Sequence, residues 1–209
     1  MISTGVFVGK ILKKCRKLYS KKAKENSDTM RLPLILLPTI LFASSVSFAQ
    51  FGKPQATVIP EADGYVSIPN AAVPPDKKRV YKTVWDGTKA AKDPAQILPV
   101  LNMAGSELNA FAAEGVPAKN VKFVIVFHGG SLNGIMDDEH YKAKFGMANP
   151  NLKVLSEMKK AGVEIYVCGQ NLIGENIDFK TISPDVRVAS DALIVLMAYE
   201  NDGYALLSF

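Results

Sequence analysis

From residue 79 onward the chain alternates two hydrophobic patterns. RVYKTVW (79–85) sets apolar and polar residues at successive positions, the period of a strand covered on one face. Asp86-Gly87 then carries a turn signal that breaks it. Leu101, Ala104, Leu108 and Phe111 recur at steps of three and four, which gathers them on one helix face. Pro99 is tolerable only in a first turn, so that helix is expected to start near Leu98. Gly115-Val-Pro117 ends it. VKFVIVF (121–127) is almost continuously apolar and β-branched, the mark of a strand covered on both faces.

A short helix is expected over 137–145. Asn149-Pro150 pairs a cap residue with proline at the first helical position, and the helix it opens runs to Ala161. Lys159 and Lys160 occupy its last turn and Gly162 stops it. VEIYV (163–167) is a second buried strand, ended by Cys168-Gly169-Gln170. A further helix is expected from Val188 to about Asn201, and Tyr204 to Phe209 forms a closing strand. Strands separated in this way by helices predict an α/β fold: a three-layer α/β/α sandwich with a mainly parallel, Rossmann-like sheet over residues 79–209. Residues 50–78 carry Pro54, Pro60, Pro69, Pro74 and Pro75 and no amphipathic period, which reads as an extended arm or linker.

Upstream the pattern changes. Residues 30–49 begin with Arg31, continue as an apolar stretch from Leu32 to about Val46, and place small residues at Ser47 and Ala49. That is the pattern of a secretory signal peptide cleaved after Ala49. Pro33, Pro38 and the serines make a poor membrane anchor, and the apolar run falls short of the roughly 20 residues a span needs. Residues 1–29 form a basic leader, and either Met1 or Met30 is the true start. The expectation is therefore a periplasmic or secreted protein that meets the membrane only through its export signal. Residues 1–49 hold nine Lys/Arg and two Asp/Glu, leaving 16 basic and 18 acidic side chains of the chain's 25 and 20. The apparent basicity thus belongs to the leader and gives no support for nucleic-acid binding. The remaining 160 residues suffice for one domain with its own core.

Cys168 is then the one cysteine expected after cleavage, since Cys15 lies in the leader. Parallel strands bring their C-terminal ends to one edge, where ligands bind. Cys168 and His128 each follow directly on a buried strand, so both are expected there, with Gly129, Gly130, Ser131, Gly169 and Gln170 as lining. Two readings of Cys168 stand. Helix N–H groups opening at Gln170 and a nearby imidazole would favour a reactive thiolate; equally, cysteine serves as a small apolar core residue. His128 likewise is either a tuning base or a group that holds the Gly-Gly turn. His140 falls in a polar stretch with Asp137, Asp138 and Glu139, which reads as a solvated helix start.

Several sharper chemistries fail. Gly129-Gly-Ser131-Leu-Asn133 has Asn133 where a nucleophile elbow needs glycine. His128-Gly-Gly is like the oxyanion loop of lipases but has no serine elbow to serve. No phosphate-binding glycine loop and no Cys-x-x-Cys is present, and two histidines with one cysteine make no zinc set. Neither a metal nor an organic cofactor is expected.

VIVFHGG, NPNLKVLSEMKKAG, VEIYVCGQN and DALIVLMAYENDGYALLSF, together with RVYKTVWDG and LNMAGSELNAF, resemble the DsrE/DsrF-like family over about Arg79 to Phe209. The resemblance implies a small α/β domain assembling into homotrimers or hexamers, and in the best-understood members a cysteine that accepts and passes on sulfur as a persulfide. Cys168 is the position so implied, with His128 in the "HG" that follows an early strand. The first functional expectation is thus an exported sulfur carrier or transferase whose partners are small sulfur species or a thiol protein. The alternative is a non-catalytic oligomeric module that binds a ligand or docks a partner, with a structural cysteine. A dimer disulfide-linked through Cys168 is the third.

Overall fold

The computed structural model describes residues 52–209. The leader and signal peptide expected over 1–49, with Cys15, lie outside the described residues. Five strands form one sheet: β1 (Tyr81–Gly87), β2 (Val121–Phe127), β3 (Glu164–Cys168), β4 (Arg187–Ala189) and β5 (Ala205–Ser208). Every neighbouring pair is parallel and the order is β4-β3-β2-β1-β5. The helices are α1 (Pro99–Ala113), α2 (Asp138–Phe145), α3 (Asn151–Lys160), α4 (Gly169–Gly174) and α5 (Ala192–Asn201). The expected three-layer parallel α/β sandwich is the fold that forms.

The central strand β2 explains the layering. Phe123, Ile125 and Phe127 point into the larger core, with Trp85 of β1, Leu101 and Leu108 of α1, and Leu155 and Met158 of α3. Val124 and Val126 point the other way, into a smaller cluster with Val84, Cys168, and Ala192 and Leu196 of α5. Strand alternation thus assigns Cys168 to the α5 face of the sheet.

Three element boundaries differ from the sequence reading. β1 runs on through Asp86 and Gly87, because both pair with β2, at Val126 and Phe127. Arg187–Ala189, expected inside a helix, is instead a short edge strand paired with Tyr166, Val167 and Cys168. The Arg187 guanidinium holds it there, donating to Glu164 Oε2 and to the Tyr166 hydroxyl, each at 2.7 Å. The helix accordingly starts at Ala192, where the Asp191 side chain caps the N–H of Leu193 at 2.7 Å. At α3 the first helical residue is Asn151, and the Asn149 side chain accepts its N–H at 2.9 Å.

Before β1 the described chain carries only an isolated bridge, Gln55 with Tyr65. It is nevertheless tied to α1. Ile59 is fully buried and Ala62 nearly so, both within the larger core. Gly105 of α1 leaves room for them; a Cβ there would lie 2.5 Å from that of Ala62. Asn109 completes the attachment. Its amide oxygen accepts the N–H groups of Val58 and Ile59, both at 2.9 Å, and its nitrogen donates to the carbonyls of Ile59 and Asp63 at 3.0 and 3.2 Å.

Candidate functional site

Cys168 closes β3 and is the N-cap residue of α4. Its side chain is packed among Val84, Val124, Val126, Ala192 and Leu196, and the residue is only 3% exposed. Gly169 follows because nothing larger fits; a Cβ there would stand 2.7 Å from the Ala189 carbonyl of β4. That contact fixes the turn from β3 into α4 directly beside the thiol.

His128 follows β2 in the same extended conformation, with its N–H donating to the Gly87 carbonyl at 3.1 Å. The last paired residues of β2 and β3 are Phe127 and Val167. His128 and Cys168 are the next residues on each, level with one another and on the same face, on strands about 4.8 Å apart. The imidazole makes one strong contact, its Nε2 lying 2.5 Å from Asp86 Oδ1 on β1. With Asp86 ionised, Nε2 is the donor and Nδ1 is left as the acceptor nitrogen. The other Asp86 oxygen accepts from the Ser208 hydroxyl of β5 at 3.2 Å. Ser208, Asp86, His128 and Cys168 therefore follow one another across β5, β1, β2 and β3 at their C-terminal ends. His128 and Asp86 retain 21% and 16% of their side-chain exposure, so solvent reaches the pair but barely reaches the thiol. A hollow of about 170 Å³ opens beside Asp86, lined also by Thr88, Lys89, Pro99, Val100, Met103 and Phe209.

The residues expected to line the site divide. Gly129 and Gly130 are exposed, and the Gly129 N–H donates to the Asn171 side chain of α4 at 2.9 Å, tying the loop after β2 to the helix after Cys168. Ser131 is fully buried and its hydroxyl donates to the carbonyls of Gly87 and His128, at 2.6 and 3.0 Å, which holds the loop in shape. Gly169 is buried and Gln170 exposed. His140 lies on α2 and pairs with Asp137 at 2.7 Å, apart from this row. Among the described residues no three His, Cys, Asp or Glu side chains group as metal ligands. Asp86, Ser208 and Asn171 are the partners the sequence did not reveal. For Asp86 the available signal was its parity with Val84 on an alternating strand.

The fold is that of a small α/β domain with a wholly parallel sheet. The model of the DsrE/DsrF-like family matches residues 93–209, and the chain belongs to that family. The matched span takes in β2 to β5 and leaves β1, with Asp86, outside it. Among solved structures, the chain is similar to a protein of unknown function, MTH1491, from Methanobacterium thermoautotrophicum, at 17% identity and a TM-score of 0.47, over 62% of this chain and 99% of that one. It is also similar to the ychN protein from E. coli, at 15% identity and a TM-score of 0.43, again over 62% and 99%. No curated protein matches the chain.

Proposed function

We propose that this protein handles sulfur, with Cys168 as the group that carries it and His128, oriented by Asp86, as the base beside it. The observation that supports this most is the level placement of His128 and Cys168 on adjacent strand ends, with Asp86 bonded to the imidazole. A carboxylate that orients an imidazole beside a thiol is the arrangement that activates a cysteine nucleophile. The Cys168 thiolate attacks the outer sulfur of a persulfide, R–S–SH. A new S–S bond forms at Cys168, the donor's S–S bond breaks, and the thiolate RS⁻ leaves with the electron pair. An acceptor thiolate then attacks the outer sulfur of Cys168–S–SH and releases the Cys168 thiolate. No net oxidation occurs and no cofactor takes part. Because Cys168 is buried, access requires the α4 turn and α5 to part at its Sγ.

The protein is incubated with polysulfide and its mass measured without reductant. One added sulfur, lost in Cys168→Ser and formed several-fold more slowly in His128→Ala and Asp86→Asn, is the expected result. No added sulfur in the wild type overturns the proposal. A second reading, a docking module with a structural cysteine, is favoured by the tight packing of Cys168. In that case Cys168→Ser leaves partner binding intact and lowers stability alone.

We also propose export, on the pattern of residues 30–49. The test is whether the protein recovered from outside the cytoplasm begins at Gln50. Assembly into homotrimers or hexamers is proposed on the apolar outer face of α5, where Leu193, Ile194 and Met197 are 60%, 56% and 55% exposed.

A further inference from the structure

The two edges of the sheet are built differently. β4, at one edge, is three residues long, follows Pro184-Asp185-Val186 and opens on Arg187, whose side chain is 60% exposed. Ser190-Asp191 then leads the chain away into α5. A short strand with charge and proline about it is how an open edge is kept from pairing with other chains. β5, at the other edge, has no such protection. From Tyr204 to Phe209 the chain carries no charged residue and no proline. Among the described residues its backbone pairs with β1 alone, so the N–H and C=O groups on its outer side have no backbone partner.

β5 is also apolar on both faces. Leu206 lies level with Val84, hence on the α5 side, and is 40% exposed. Leu207 lies level with Trp85 on the α1 side. Phe209 follows on that side, 53% exposed, its ring 6.0 Å from that of Trp85, centre to centre. A hollow of about 360 Å³ opens beside Leu207 and Phe209 there. Apolar side chains toward both faces are the pattern of an interior strand, as β2 shows at the centre of the sheet. An interior pattern at an edge, with its backbone free, calls for one more strand. That strand must be uncharged and apolar on both faces, and β5 itself meets both demands.

We propose that β5 of one copy pairs antiparallel with β5 of a second copy about a two-fold axis, joining two five-stranded sheets into one. A two-fold contact sets the same patch against itself, which an uncharged edge tolerates and a charged one does not. The inference rests on the assembly proposed on α5, because a four-residue pair is too small to hold two copies alone. Each copy in an α5-built assembly still offers an open β5, and pairing these edges doubles the assembly: homotrimers become hexamers. Side chains alternate between faces, and a two-fold axis normal to the sheet keeps each face on its own side. One residue of β5 therefore stands opposite its own copy.

The test uses the full chain. Ala205→Lys puts a charge on the edge at an exposed residue, on the side of the sheet away from α5. By light scattering it should halve the mass of the wild-type assembly, whereas Ile194→Glu gives single chains. Ala205→Cys, Leu206→Cys, Leu207→Cys and Ser208→Cys are then oxidised one at a time, and the disulfides are mapped by peptide mass. One of the four should link to its own copy. An assembled wild type whose mass Ala205→Lys leaves unchanged, or in which none of the four cysteines links to its own copy, overturns the pairing and leaves the α5 assembly standing. A single-chain wild type removes both. A link from β5 to Cys15 or to another protein gives the edge a different occupant and overturns the pairing as well.

Discussion

Asn109 shows how much one side chain can hold. Its amide has two acceptor and two donor positions, and all four are used on residues 58–63. Asn109→Ala would leave the N–H groups of Val58 and Ile59 and the Asp63 carbonyl without their partner, while the Ile59 carbonyl keeps only the N–H of Ala62. A loss of about 3 kcal/mol is expected, several such penalties partly relieved by water. Thermal unfolding measures the loss. Limited proteolysis adds a local readout, since cleavage between residues 53 and 65 should precede global unfolding in the variant. Unchanged melting and unchanged cleavage would show that Ile59 alone anchors the segment. The sequence offered no hint of this anchor, because a single polar residue on a helix face looks like any solvated position.

Between elements, the join of that segment to α3 carries a pH dependence. Burial first, then the hydrogen bond and charge of Glu61, raise the Glu157 carboxyl above the usual range, while the hydrogen bond from Glu157 and then that from Lys153 lower Glu61. The two carboxyls are thus shifted in opposite directions across the join, with the Lys153 ammonium between them. A raised folded pKa means that the stabilisation from protonated Glu157 is complete below its unfolded value, about 4.3, and fades as pH rises through the folded one. Glu61 acts in the opposite sense, losing its contribution as pH falls through its lowered value. Glu157→Gln keeps a donor toward Glu61 and removes the titration. Its melting temperature should match the wild type near pH 4 and exceed it by about 2 °C at pH 7. A gap that does not widen with pH would show that the Glu157 carboxyl is not raised in the folded protein.

Element patterns were legible in unequal measure. β2 and β3 announce themselves as continuous apolar runs, and α1 and α3 by their period. The three residues of β4 are too short to carry a period, and the Arg187 contacts that hold them are tertiary. Asp86 looked like a turn signal because acidic-glycine pairs usually are; its place in the site depends on the register of β1 against β2, which spacing does not determine. Cys168 and His128 were visible because each follows a buried run.

At the scale of the whole molecule the two faces of the sheet are unequally covered. The face with α1 and α3 holds most of the core, while the other relies on α5 alone, whose outward side is Leu193, Ile194 and Met197, with Leu206 of β5 also exposed on that face. This exposed apolar helix face is the surface on which the proposed assembly rests. Ile194→Glu should convert the assembly to single chains by light scattering while shifting the melting temperature of the isolated domain little. A wild type that already runs as a single chain would defeat the oligomer proposal.

The strand order has a consequence for how the chain folds. β1 pairs on one side with β2 and on the other with β5, where Thr83 meets Ala205. Until residues 205–208 dock, β1 is a bare edge whose unpaired backbone invites other chains. The His128–Asp86 contact needs only β1 and β2, but Ser208 joins it when β5 docks. The sheet is therefore complete only once β5 has docked, and until then the edge of β1 is open to pairing with other chains.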